Sequence, residues 1–166
     1  MKRFNRIRDP EFEVTLDELP WIPEEMEKSL SAIVAFLMKS FRRDISQIGL
    51  YGSWQRNTAD RESDVDVVVF LTHELSWFDA AKGTLNRSKA HKDKLCWHRI
   101  EKKANAYRLD SRVYSIAFVT PAMLEYYSVK GPIHLQNWVY AIRNCHSLWK
   151  GESGLAESGT AIVEQR

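Results

Sequence analysis

Apolar residues recur at helical spacing over residues 23–42, where Met26, Leu30, Ile33, Val34, Leu37 and Phe41 fall at i, i+4, i+7, i+8, i+11 and i+15. A stripe of this kind predicts an amphipathic helix with one face on the core. Pro23 suits the first helical position, and Glu24, Glu25 and Glu27 complement the positive end of the helix. The pattern then changes. Ile48 and Leu50 predict a short strand over about 46–51, closed by the turn residues Gly52-Ser53. A β-branched run, Val65 and Val67-Val68-Val69 into Phe70, predicts a second strand.

Helical spacing returns after Leu71. Thr72 caps an expected short helix over His73 to Lys82, carrying Leu75, Trp77 and Phe78 and broken by Gly83. Leu85 to Arg108 reads as one long basic helix or two shorter ones, with Leu95, Trp97, Ile100, Ala104 and Tyr107 as the apolar side. Leu109 to Val119 predicts a third strand. Thr120-Pro121 then opens a helix that Gly131-Pro132 ends, and Leu135, Trp138, Val139 and Ile142 mark another. Leu148 to Gly151 is expected to form a short strand or turn.

The length of 166 residues suits one domain with a proper core, and 44% hydrophobic with 28% charged residues is the composition of a globular protein. No apolar run approaches the length of a membrane span. The basic residues near Met1 have no apolar segment behind them, and Cys96 and Cys145 stand far apart. Together these predict a cytoplasmic protein with reduced thiols. The expected organisation is an N-terminal arm over 1–22, a domain over 23–151 with a basic helical insertion at about 72–108, and a flexible C-terminal tail over 152–166.

Charge changes the picture in one place. The net charge is +2, yet Lys82 to Arg108 holds nine Lys and Arg against Asp93 and Glu101, a local +7 that leaves −5 for the rest. Such a face suits phosphates, RNA or an acidic partner; a solvated helix face is the alternative. Cys96 and His98 lie within it without the paired ligands of a zinc site.

The candidate chemistry lies in Leu50 to Phe70. Gly52-Ser53 is followed by ten residues and then by Asp64-Val65-Asp66. Residues two apart on a strand point the same way, so Asp64 and Asp66 project from one face at the start of an apolar strand. Two like charges repel, and a hard divalent cation such as Mg²⁺ is the usual remedy. A salt bridge from Asp66 to Arg56 or Arg61 is the alternative. Ser53 reads either as a phosphate-holding hydroxyl at a helix start or as a plain N-cap.

At these residues the chain resembles the nucleotidyltransferase superfamily that includes DNA polymerase β, and within it the minimal nucleotidyltransferases. The matching residues are Gly52, Ser53, Arg56, Ala59, Ser63, Asp64, Val65 and Asp66. The resemblance covers about 45–71 and extends to about 150. It implies an α/β (α+β) fold, a small mixed sheet with helices packed on it. It implies that Asp64 and Asp66 are catalytic and hold Mg²⁺, in a one- or two-metal site. Gly52 and Ser53 would cradle the phosphates of an NTP, with Arg56 as a candidate neutralising group. The implied reaction passes NMP, and AMP first among candidates, to a hydroxyl of a protein or small-molecule acceptor. Partners implied by the family are a second copy or a helical HEPN-type protein, in an antitoxin-like role.

Active members carry a third carboxylate on the third strand, near the position of Ser115. Asp110 is the nearest acid and has the opposite strand parity. Three readings follow: an active enzyme, a catalytically degenerate protein that binds a nucleotide or a partner, and a nucleic-acid binder using 82–108 with Trp97 and Tyr107 as stacking groups.

Overall fold

The first strand, β1 (Ile45–Tyr51), pairs antiparallel with β2 (Val65–Leu71) on one side and with the last strand, β6 (His146–Lys150), on the other. β2 in turn pairs parallel with β5 (Tyr114–Val119), so the sheet order is β5-β2-β1-β6. This computed structural model describes residue 12 and residues 14–151. The class is α/β (α+β), a small mixed sheet carrying helices on both faces, as expected. The tail expected at 152–166 lies outside the described residues, as do residues 1–11 and 13 of the expected arm.

Helix α1 (Glu24–Phe41) forms where the apolar stripe places it. Met26, Leu30, Ile33, Val34 and Leu37 are fully buried, and so are Val65, Val67 and Val69 of β2 and Ile48 and Leu50 of β1. Each buried side chain of this size contributes about 1.5–3 kcal/mol relative to exposure, so this back layer dominates the core. Phe12, Val14, Leu16 and Leu19 join the same cluster. Val14 and Leu16 are fastened to α1 through backbone bonds to Ser31 Oγ and Glu27 Oε2.

The short helix expected over 73–82 is instead a hairpin, β3 (Phe78–Asp79) with β4 (Thr84–Leu85). Gly83 at its turn has φ +68, and a β-carbon there would strike the Tyr126 ring. Phe78 packs on Tyr126 and Tyr127, whose hydroxyls bond the carbonyls of Lys82 and Gly83. Docking on a distant helix decided this segment, and local spacing could not show it. The basic part forms two short helices, α3 (Arg87–Lys92) and α4 (Trp97–Asn105). They are parted where the Asp93 carboxylate accepts from the Leu95 N–H.

Helix α4 seals the outer edge of β5 with two side chains. The Asn105 amide bonds both the Tyr114 N–H (2.9 Å) and the Tyr114 carbonyl (2.8 Å), and Glu101 Oε2 accepts from the Ile116 N–H at 2.8 Å. These groups stand in for a neighbouring strand along Tyr114 and Ile116. The other face of the sheet receives α5 (Pro121–Val129) and α6 (Ile133–Arg143). Thr120 caps α5, accepting from the Met123 N–H. No helix among the described residues is long and apolar enough to cross a membrane.

Candidate active site

At its C-terminal end β1 turns sharply into a single helical turn, α2 (Gly52–Gln55). Gly52 sits at φ +80, a conformation that favours glycine, and a β-carbon on it would strike Asp66 Oδ2. The turn is thereby laid directly against the carboxylate. Tyr51, not Ser53, is the residue that caps α2, and it does so without a side-chain bond. Ser53 is half-buried in the first turn.

Three side chains share one face of the sheet at this point. Asp66 of β2 lies opposite Tyr51 in the β1–β2 register and opposite Ser115 in the β2–β5 register. Asp64, immediately before β2, has the same parity and is exposed. Its Oδ2 accepts from Ser115 Oγ at 3.2 Å. Asp66 is half-buried, and burial together with the nearby Asp64 charge carries its carboxyl up to about 6, an effect eased by Arg56. Arg56 stands close enough to influence Asp66, but neither it nor Arg61 makes an ion pair with the aspartates. The salt-bridge alternative is therefore absent.

Asp110 does not supply a third carboxylate. Its side chain is 7% exposed and engaged on the opposite face, accepting from Arg112 Nη1 at 2.9 Å and from the Tyr114 hydroxyl. Ser115 holds the third position instead, with a neutral hydroxyl. The reason is the parity of the strand, which no bulge in β5 overturns: Asp66 pairs with Ser115, and the register runs unbroken to Val119.

Several supporting residues were not singled out from sequence. Trp54 in α2 donates its indole N–H to the Ser63 carbonyl (3.1 Å), tying the turn to the residue before Asp64. Trp21 holds the Trp54 carbonyl in turn, and the Arg112 guanidinium lies over the Trp54 ring. From the opposite side, Trp138 of α6 donates to the Tyr51 hydroxyl at 3.1 Å, and Gln55 bonds the Asn144 carbonyl. Tryptophans at such positions read as core on spacing alone, and only their N–H groups betray the second role.

The family model described as the nucleotidyltransferase domain matches residues 29–121, more than half of the chain and the whole of this site. The chain belongs to the nucleotidyltransferase domain family. The matched stretch of this nucleotidyltransferase domain runs from α1 to the start of α5 and includes Gly52, Ser53, Asp64 and Asp66. Among solved structures, the chain is similar to one titled "Crystal structure of the toxin-antitoxin with AMP-PNP", at 17% identity and a TM-score of 0.41, covering 80% of this chain and 89% of that one. No curated protein matches.

The described residues bring together no group of three or more His, Cys, Asp or Glu side chains around a common point. Asp66 holds its proton unusually well, chiefly because it is half-buried and then because of the neighbouring Asp64 charge. Hard oxygen donors in that condition suit one divalent cation of the Mg²⁺ type. A second cation finds no further carboxylate here.

Proposed function

We propose that the protein is a Mg²⁺-dependent nucleotidyltransferase whose site consists of Asp64, Asp66, Gly52 and Ser53. Nucleotidyl transfer follows from the family; the metal, the residues and the acceptor are this proposal. The observation that carries it is the Gly52 turn pressed against Asp66, which sets backbone at a helix start directly beside a carboxylate pair.

In this reading Asp64 and Asp66 would hold the cation, which would supply charge neutralisation and Lewis-acid activation at the phosphates. Gly52 lets the turn approach the β- and γ-phosphates closely, and the Ser53 hydroxyl and the exposed Arg56 guanidinium add a hydrogen bond and positive charge. An acceptor hydroxyl forms the new oxygen–phosphorus bond, the bond to the pyrophosphate oxygen breaks in line, and the hydroxyl proton leaves to a base. The acceptor is a protein or small-molecule hydroxyl, and AMP is the first nucleotide to test. Ser115 keeps Asp64 oriented by its hydrogen bond. The domain of 23–151 takes Phe12, Val14, Leu16 and Leu19 of the preceding segment into its core, and a second copy or a helical partner protein presents the acceptor.

A second reading rests on one observation: Asp110 is sequestered and Ser115 is neutral. The same site then binds a nucleotide without turning it over, or serves to dock a partner. Titration of NTPs by calorimetry with and without Mg²⁺, on the wild type and on Asp64→Asn and Asp66→Asn, tests the site. Binding that requires the metal and both aspartates supports it, and metal-independent binding sinks it. Pyrophosphate release then separates enzyme from binder.

A further inference from the structure

Helices α3 and α4 carry a surface that the carboxylate site does not use. Arg87, Lys89, Lys92, Lys102 and Lys103 are exposed on it, and none has an acidic partner among the described residues. The two acids of the segment are turned to other tasks: Asp93 accepts from the Leu95 N–H, and Glu101 accepts from the Ile116 N–H at the edge of β5. What faces outward is therefore cationic. Such unneutralised charge attracts polyanions over a distance.

The two helices are joined into one face. Arg99 of α4 reaches back to the carbonyls of His91 (2.9 Å) and Asp93 (3.0 Å) at the end of α3. At the same junction, rings follow one another from the core to the surface, the first two contacts tilted and the last stacked. Buried Trp77 meets half-buried Trp97 with centroids 5.1 Å apart, Trp97 meets His98 at 4.4 Å, and His98 lies nearly parallel to His91 at 6.2 Å. The last two imidazoles are exposed. Tyr107 is not part of this run, since it stacks on Phe36, and Trp97 serves as backing to the exposed rings.

Flat exposed rings set among cations are the two features by which single strands are held, bases on the rings and phosphates on the lysines. A duplex offers phosphates but hides its base faces. We propose that the α3–α4 face binds single-stranded nucleic acid, with the backbone along Lys92, Lys102 and Lys103 and a base against His91 and His98. This site stands independently of the nucleotide site.

The test is fluorescence anisotropy with labelled oligo(U) and oligo(dT) of about 12 nucleotides, within the usual span of such sites. Saturable binding is expected, its logarithm falling with log salt at a slope of about −2 to −4, the mark of three to five phosphate contacts. Whichever polymer binds more tightly names the source. Lys102→Glu with Lys103→Glu should weaken binding by more than roughly tenfold and flatten the slope. His91→Ala with His98→Ala should weaken it roughly fivefold or more at an unchanged slope, because stacking carries no counterions. Asp64→Asn should bind as the wild type does, which keeps this result apart from the fate of the nucleotide site. All these side chains are exposed, and thermal melts verify folding. The proposal is overturned by absent saturable binding, by preference for duplex, or by inorganic polyphosphate binding as tightly while the histidine variant is unaffected.

Discussion

Gly52 and Asp66 are in such close contact that the glycine has no room for a side chain: a β-carbon would strike the carboxylate, and the backbone sits at φ +80. Gly52→Ala therefore meets both strain and collision. The expected cost is about 1–3 kcal/mol of stability from the backbone conformation. The displaced turn should also weaken Mg²⁺-dependent NTP binding. Denaturant melts and calorimetry check the two effects, and a variant as stable as the wild type would remove the close approach from the argument.

Asp66 predicts a pH signature. Burial, with the Asp64 charge beside it, raises its folded carboxyl from the ordinary 3.8 to about 6. The folded state thus holds this proton more tightly than the unfolded one. The stability it contributes is complete below about 4 and is lost as pH rises through about 6. Asp66→Asn, which removes the buried charge, should melt higher than the wild type at pH 7, by roughly 2–4 °C per kcal/mol recovered, with the difference closing at pH 4. Cation binding by the wild type should fade below pH 6, since protons compete for the same oxygens. Equal melting of the two proteins at pH 7 would contradict this account of the site.

Ser115 predicts a gain. Ser115→Asp places a third carboxylate beside Asp64 and Asp66, in register with the latter. Without metal the variant should melt below the wild type, because like charges are crowded further. Mg²⁺ or Mn²⁺ should reverse the loss, and a concentration of a hundred times Kd stabilises by about 2.7 kcal/mol. Pyrophosphate release, if slow in the wild type, should rise. A variant indifferent to divalent cations would show that the third position does not reach the pair.

Trp138 predicts a remote effect on the turn. Trp138→Phe keeps an aromatic ring but trims the indole and loses its N–H bond to the Tyr51 hydroxyl, at a cost of about 1 kcal/mol for the hydrogen bond alone. Tyr51 directly precedes Gly52, so NTP affinity should fall with the metal affinity of the isolated carboxylates little changed. Calorimetry with Mn²⁺ alone, and then with NTP, separates the two.

His73 predicts a second pH effect of the same sign. Its Nε2 faces Asp44 Oδ1 at 2.8 Å and its Nδ1 faces the Glu74 carbonyl at 3.0 Å, while Lys94 holds the other Asp44 oxygen. Both ring nitrogens meet acceptors, so the imidazolium is favoured and its pKa is raised, chiefly by the carbonyl and the carboxylate. This contribution is present below the unfolded value near 6.5 and is lost as pH rises through the folded one. His73→Gln should therefore lower the melting temperature at pH 6 more than at pH 9. The reverse order would show a neutral ring.

Much of this protein was legible in the chain alone. The stripe from Met26 to Phe41 determined α1, because burial of one helix face needs only the right period. The β-branched run after Asp66 determined β2, and alternation placed Asp64 and Asp66 on one face. The family also followed from residues close together in sequence. Tertiary structure decided the rest. Residues 73–82 carry helical spacing, yet 78–85 form a hairpin because Phe78 and Gly83 dock on Tyr126 and Tyr127, more than forty positions away. That Ser115 stands where a third acid would, and that Asp110 turns away to Arg112 and Tyr114, depends on the register between strands that are distant in sequence. The same holds for the tryptophans that fix the turn and for the single cationic face of α3 and α4. Local spacing dictates which side of an element is apolar; only packing dictates what that side meets.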